Sequence, residues 1–254
     1  SSGEHYGNNF DNNQMGMGIF FQPNLSGNSV IDNTFANNRS QGIYPDRATN
    51  TIIEGNTSYN NGSGAYQGAQ LYLKGTGGSD NVRLIDNILI AVDSTQFTMR
   101  NDASQNIGSY NNLVHCNQET GVVVRNGNSS LTLPQWQASG SGRDAGAVGC
   151  PSLSTPYSRI FINEKSVSKI LSFGAGNYFD HLGNPVSGEV TLPPFSSLVV
   201  FQDRSEFYSL AKVIVVLQNL VGISILEKEL LDVNQDERVD FIDAIATLQI
   251  LTTP

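Results

Sequence analysis

The stretch Ser29-Val-Ile-Asp-Asn-Thr-Phe-Ala-Asn-Asn-Arg-Ser-Gln-Gly-Ile43 contains two short apolar runs, an Asn between them, and a Gly-led third run that continues to Asp46. The pattern recurs along the chain. Gly18-Ile-Phe-Phe-Gln22, Gly42-Ile-Tyr-Pro-Asp46, Gln70-Leu-Tyr-Leu-Lys74, Gln96-Phe-Thr-Met-Arg100 and Gly121-Val-Val-Val-Arg125 begin 24, 28, 26 and 25 positions apart, by subtraction. A second marker, the Asn at positions 9, 33, 56, 87 and 112, steps by 24, 23, 31 and 25. Two markers with one approximate period mean that a single supersecondary unit is stacked repeatedly.

The unit is built of strands. Its apolar residues alternate, with Ile43 and Pro45 on one side and Tyr44 and Asp46 on the other, and show no three-and-four spacing. β-branched and aromatic residues fill the runs, and Asn, Gly, Ser and Thr fill the gaps. A unit of this length with two or three short strands is one coil of a parallel β-helix. An Asn at the corner between strands tolerates a left-handed backbone, and its amide can bond the Asn of the next coil.

These residues resemble the right-handed parallel β-helix proteins, the superfamily that includes pectate lyases. The stretch from Ser29 to Ile43 and Asn50-Thr-Ile-Ile-Glu-Gly-Asn-Thr-Ser-Tyr-Asn-Asn61 look like coils of that group. Trp136-Gln-Ala-Ser-Gly-Ser-Gly-Arg-Asp-Ala-Gly-Ala-Val-Gly-Cys-Pro151 is similar to its closing motif, with Cys150 in place of the usual acid. The resemblance covers about the first 150 residues and implies a polysaccharide as ligand or substrate, with lyase or glycosidase chemistry. Such a fold hosts many functions, so the site must decide among them.

Three segments are expected: β-helix coils over 1–155, an antiparallel β cap over 156–203 that covers the last coil's open edge, and a helical module over 204–254. The fold class is therefore mainly β, a right-handed parallel β-helix followed by a short antiparallel cap and a small two-helix calcium-loop module. A net charge of −9 argues against nucleic acid and anionic membranes as partners. No apolar run approaches the ~18 residues needed to span a bilayer. Asn8-Asn-Phe10 already reads as part of a coil, which predicts earlier coils and an export signal upstream, and a secreted or cell-surface location. Cys116 and Cys150 read equally as a disulfide or as two buried thiols. The three isolated histidines have no metal-ligand spacing.

In the tail, Leu210, Val213, Ile214, Leu217 and Val221 share one helical face, and Ala244, Ile245, Leu248 and Leu251 share another. Between them, Asp232, Asn234, Asp236, Asp240 and Asp243 occupy positions 1, 3, 5, 9 and 12 of an EF-hand-type loop, and Arg238 offers its carbonyl at position 7. A hard cation takes oxygens at these offsets, so Ca²⁺ is the expected cofactor. Glu237 replaces the usual glycine at position 6. The alternative is an acidic solvated turn in which Asp240 and Asp243 cap the second helix. The loop resembles the second repeat of a type I dockerin. That implies a cohesin-type partner contacted through Phe241 and Ile242, or a stabilising calcium module where the second loop of that family is lacking.

The outward residues of one sheet are expected in two columns: Phe20, Tyr44, Tyr72, Thr98 and Val123, beside Gln22, Asp46, Lys74, Arg100 and Arg125. Coils ~4.8 Å apart would place Lys74, Arg100 and Arg125 in one row. A polysaccharide could stack on Phe20, Tyr44 and Tyr72 and meet Asp46 and Arg125, and an anionic one could pair with the cations. For lyase chemistry Lys74 is the candidate base and Arg100 the carboxylate neutraliser. The competing readings are a non-catalytic glycan-binding face and a plain solvated surface on a cell-surface spacer.

Overall fold

In the computed structural model, which describes residues 4–6, 9–11, 18–21, 25–62, 68–74, 79–102, 107–153, 156–203, 217 and 241–245, each coil contributes three strands. They are β1 (Glu4–Tyr6), β2 (Asn9–Asp11) and β3 (Ile19–Phe21), then β4 (Ser29–Ile31), β5 (Thr34–Ala36) and β6 (Ile43–Pro45). β7 (Thr49–Glu54), β8 (Thr57–Tyr59) and β9 (Ala69–Lys74) follow, then β10 (Asp80–Ile85), β11 (Ile88–Ala91) and β12 (Phe97–Asp102). β13 (Ser109–Asn111), β14 (Val114–Asn117) and β15 (Val122–Asn126) complete the stack. Every third strand pairs in parallel, giving a first sheet β1-β4-β7-β10-β13, a second β2-β5-β8-β11-β14 and a third that contains β3-β6-β9-β12-β15. The expected parallel solenoid is present.

Its interior is a set of columns. Ile19, Ile43, Leu71, Met99 and Val124 stand in register inside the third sheet, and Val30, Ile53, Leu84 and Tyr110 inside the first. All are buried in one core cluster. Each fully buried aliphatic side chain contributes about 1.5–3 kcal/mol of transfer free energy, so the columns are the main source of cohesion.

The corners divide between two residues the two tasks expected of one. The stacked Asn33, Asn56 and Asn87 do not adopt the left-handed conformation; their predecessors Asp32, Gly55 and Asp86 do, with φ of 54°, 64° and 50°. That bend aims the following Asn inward, where it forms the amide ladder. Asn33 Nδ2 donates to Asn56 Oδ1 at 3.3 Å, Asn56 Nδ2 to Asn87 Oδ1 at 2.9 Å, and Asn87 Nδ2 to Asn112 Oδ1 at 2.9 Å. At the next corner, Asn38 donates to Asn61 at 2.7 Å and Asn61 to Gln70 Oε1 at 2.9 Å. The ladders satisfy polar groups that would be costly to bury alone.

The end of the core is closed by the stretch that resembles the closing motif and the residues just before it, and not by 156–203. β16 (Ser129–Thr132) folds back antiparallel on β15, and α1 (Leu133–Ala138) follows, with Gln135 Oε1 accepting the Thr132 N–H at 2.9 Å. Leu133, Trp136 and Ala147 complete the core cluster. Val148 then bridges Val114 in the second sheet, and a disulfide joins Cys150 to Cys116. Residues 129–150 therefore form the cap.

The later strands β17 (Pro156–Ile162), β18 (Lys169–Phe179), β19 (Pro185–Leu192) and β20 (Ser197–Asp203) make an antiparallel sheet in the order β17-β20-β18-β19. This sheet covers the solenoid's flank. Tyr59 donates its hydroxyl to the Ser158 carbonyl at 2.8 Å, Gln118 bonds the Ser158 hydroxyl, and Thr34 Oγ1 bonds Ser197 Oγ at 2.8 Å. The outward positions of the second sheet, Ala36, Tyr59, Ile90 and Cys116, are accordingly buried and mostly apolar. Ser1–Ser152 and Tyr157–Gln202 form one unit, and Leu153–Pro156 with Asp203–Pro254 form another. Most of the two-helix calcium-loop module lies outside the described residues, which include only Leu217 and the helical residues 241–245 of it.

Candidate functional site

The outward face of the third sheet is organised by register. Phe20 pairs with Tyr44, Ile43 with Leu71, Arg100 with Tyr72, and Arg100 with Arg125. One column is thus Phe20, Tyr44, Tyr72, Arg100, Arg125. The neighbouring column holds Asp46, Lys74 and Asp102, since Lys74 bridges Asp46 on one side and pairs with Asp102 on the other. The expected columns are therefore corrected. Met99 lies 28 residues beyond its partner Leu71, and the expected step there was 26. A slip of two leaves the alternation of Tyr72, Arg100 and Arg125 intact, because the strand period is two. It moves Arg100 under the rings in place of Thr98 and sets Lys74 between two acids. Thr98, expected outward beside Val123, is completely buried and donates to the Val123 carbonyl at 2.7 Å.

The rings stack on one another. Tyr44 and Tyr72 are parallel within 2° with centroids 4.9 Å apart, and Phe20 lies 5.1 Å from Tyr44 at 37°. Arg100 closes the stack, its guanidinium 4.5 Å from the Tyr72 centroid. Each face of Tyr72 is occupied, by Tyr44 and by Arg100, and both tyrosines are buried. Sugar stacking is therefore open to Phe20, at 44% exposure, and closed to Tyr44 (6%) and Tyr72 (7%).

The charges beside the rings are linked. Arg100 grips Asp102 through Nε to Oδ1 at 3.1 Å and Nη2 to Oδ2 at 2.9 Å, and Tyr72 donates its hydroxyl to Asp102 Oδ2 at 2.5 Å. Burial pushes the Asp102 carboxyl up, but the bonds from Arg100 and Tyr72 and the charges of Arg100 and Arg125 outweigh it and hold the group below the usual range. Burial and the bond to Asp102 push the Tyr72 phenol far up. Lys74 is held above its ordinary value, first by the neighbouring Tyr44 side chain and then by nearby charge. A lysine base needs the opposite shift, so Lys74 is arranged as a lasting cation. Arg100 likewise spends its Nε and Nη2 on Asp102. Arg125 stands beside Arg100, its Nε donating to the Gly127 carbonyl at 3.3 Å.

A second constellation, unforeseen from sequence, has the members of a hydrolytic triad. Thr98 Oγ1 lies 2.9 Å from His115 Nδ1, and His115 Nε2 lies 3.0 Å from Asp144 Oδ2. All three residues are completely buried among core side chains, so no substrate reaches them. Asp144 also accepts the Trp136 indole N–H at 2.7 Å. Burial raises the Asp144 carboxyl, and the bonds from His115, Trp136 and Asn112 outweigh it and hold the group low. The group is a clamp between coils and cap. The short Trp136-to-Asp144 spacing was the sequence signal available for it.

Of the metal-ligand candidates, Asp232, Asn234, Asp236, Arg238 and Asp240 lie outside the described residues, and Asp243 is buried in the helical residues 241–245. Among the described residues no group of three or more His, Cys, Asp or Glu side chains is placed to hold a metal ion. The chain matches no protein-family model, no curated protein and no solved structure.

Proposed function

We propose that this chain is an exported β-solenoid that holds an anionic polysaccharide on the outward face of its third sheet without cleaving it. The observation that carries this reading is the register pair Arg100 and Arg125, two arginines directly opposite on adjacent strands whose backbones are ~4.8 Å apart along the solenoid. That step is comparable to one sugar ring, so successive carboxylates of a polymer lying along the axis meet successive cations. Phe20, at the other end of the same column, offers an exposed ring for stacking. Lys74 and Asp46 flank the track. The raised Lys74 and the Arg100–Asp102 bond argue for binding over lyase or glycosidase chemistry.

Export is supported by the cysteines, since both are consumed in the Cys116–Cys150 disulfide, a bond that persists in oxidising compartments. In the same reading the tail takes Ca²⁺ through Asp232, Asn234, Asp236, the Arg238 carbonyl, Asp240 and Asp243. The inward placement of Asp243 suits a position-12 ligand. Phe241 and Ile242 beside it, 62% and 54% exposed, suit contact with a cohesin-type partner.

A second reading, a spacer with no glycan partner, is favoured by the ring faces that stack on each other. Affinity gels cast with polygalacturonate, alginate or chondroitin, read with absorbance of unsaturated products, separate the readings. Retardation without new absorbance supports the binding face. Free migration in all three gels supports the spacer, and new absorbance restores the enzyme.

A further inference from the structure

A groove of ≈ 470 Å³ opens where the first sheet meets the cap, lined by Ile107–Asn111 on one side and Gly140–Arg143 on the other. Arg143 is its principal charge. The guanidinium lies 4.7 Å from the Trp136 ring and 5.8 Å from the Tyr110 ring, and Nη1 donates to Ser139 Oγ at 2.9 Å. The side chain is thus fixed on two aromatic faces. Among the described residues no carboxylate pairs with it, and the adjacent Asp144 turns inward to His115, Trp136 and Asn112. A stacked, immobilised cation of this kind has little rotamer freedom left to lose when it meets an anion.

Two polar groups lie along the same groove. The Ser109 hydroxyl oxygen is buried with no hydrogen-bond partner, a state that carries a desolvation cost until something bonds it. Asn111, its neighbour on the same outward face of β13, is exposed. Gly140 leaves room for the cation, because a Cβ there would come 2.6 Å from Arg143 Nε. One fixed cation with an orphan hydroxyl and an amide along the same groove matches a carboxylate that carries a hydroxyl.

The geometry points to a binding site for a small hydroxycarboxylate in this groove, with the carboxylate on Arg143 and a ligand hydroxyl on Ser109. Both sugar acids and open-chain hydroxy acids have this chemistry. The site is separate from the polysaccharide face of the third sheet and does not depend on that reading.

The chain contains one tryptophan, so Trp136, directly under Arg143, reports occupancy by itself. Trp emission of the whole chain is titrated with glucuronate, gluconate, glucose, acetate and sulfate. The expected result is a saturable change with glucuronate, gluconate or both, and none with glucose. A response to glucuronate alone assigns the site to sugar acids, and a response to both assigns it to hydroxy acids generally. Arg143→Gln weakens binding at least tenfold and Ser109→Ala severalfold, with circular dichroism and thermal midpoint unchanged. The Arg100→Ala/Arg125→Ala protein keeps the response. Silence with both hydroxycarboxylates, full binding by Arg143→Gln, or equal responses to acetate or sulfate would overturn the proposal.

Discussion

Asp144 Oδ1 accepts both the backbone N–H of Asn112, at 2.6 Å, and its side-chain amide, at 3.1 Å. The rungs Asn56 and Asn87 each donate to the next Asn and accept from the one before. The last rung needs only an acceptor, and a carboxylate supplies one without leaving an unused donor. Its other oxygen ties Trp136 of the cap and His115 of the preceding strand to the same point.

Asp144→Asn keeps the shape and reverses one end's polarity, setting an amide NH₂ against donors already aimed at it. The expected cost is about 3 kcal/mol, at the upper end for hydrogen bonds to a charged acceptor, measured as a lower urea midpoint at unchanged slope. The folded-state pKa of Asp144 is depressed, so its contribution is fully present above the unfolded value of about 4 and is lost as pH falls through the folded value. An acid titration of the wild type, compared with Asp144→Asn, reads that loss below about pH 4. Equal acid sensitivity of the two proteins would remove Asp144 from the account.

Reduction of the Cys116–Cys150 bond opens a loop with a sequence separation of 34. Chain entropy puts the loss at about 3–4 kcal/mol. Cys116→Ala/Cys150→Ala should unfold at correspondingly lower urea, and thiol titration of the native protein should find no free cysteine.

Gly42 allows two coils to approach. A Cβ at this position would lie 2.3 Å from Ser58 Oγ and 2.7 Å from the Gln70 carbonyl. Backbone is in the way, so Gly42→Ala forces the coils apart and should cost about 2 kcal/mol or more. By contrast Gly121→Ala meets nothing within 4 Å. Its cost comes only from the positive φ of 64° and should stay near 1 kcal/mol. Thermal midpoints of the two variants give the ranking.

The sequence carried the coils plainly because two markers repeated: the apolar runs and the Asn column. The runs fixed which side chains face inward, and Leu71, Met99 and Val124 stand where alternation put them. The register between coils was harder. Gln96 and Gln70 look equivalent, and both are buried and accept N–H bonds from loop residues, yet they sit two residues apart in the stack. A gap in a loop is invisible to alternation, so the columns shifted and Asp102, the partner of both Arg100 and Tyr72, was overlooked. The cap was misplaced for another reason. Tyr59 and Ile90 are outward yet apolar, which marks a covered flank, but only the register makes that column visible.

Tyr72→Phe tests the ring stack against the charge network. The stack survives, while Asp102 loses one of the two residues whose hydrogen bonds hold its carboxyl low. Its titration, followed by carboxyl NMR, should move upward, with stability lower by about 1 kcal/mol. An unmoved Asp102 would mean that Arg100 alone sets it.

The most direct test of the polysaccharide face compares retardation of wild type, Arg100→Ala/Arg125→Ala and Phe20→Ala in polygalacturonate gels across a salt series. The account predicts that the double-arginine variant loses at least tenfold in affinity along with most of the salt dependence, that Phe20→Ala loses severalfold, and that all three keep their thermal midpoints within a few degrees. Wild-type retardation that persists in the double-arginine variant would contradict it.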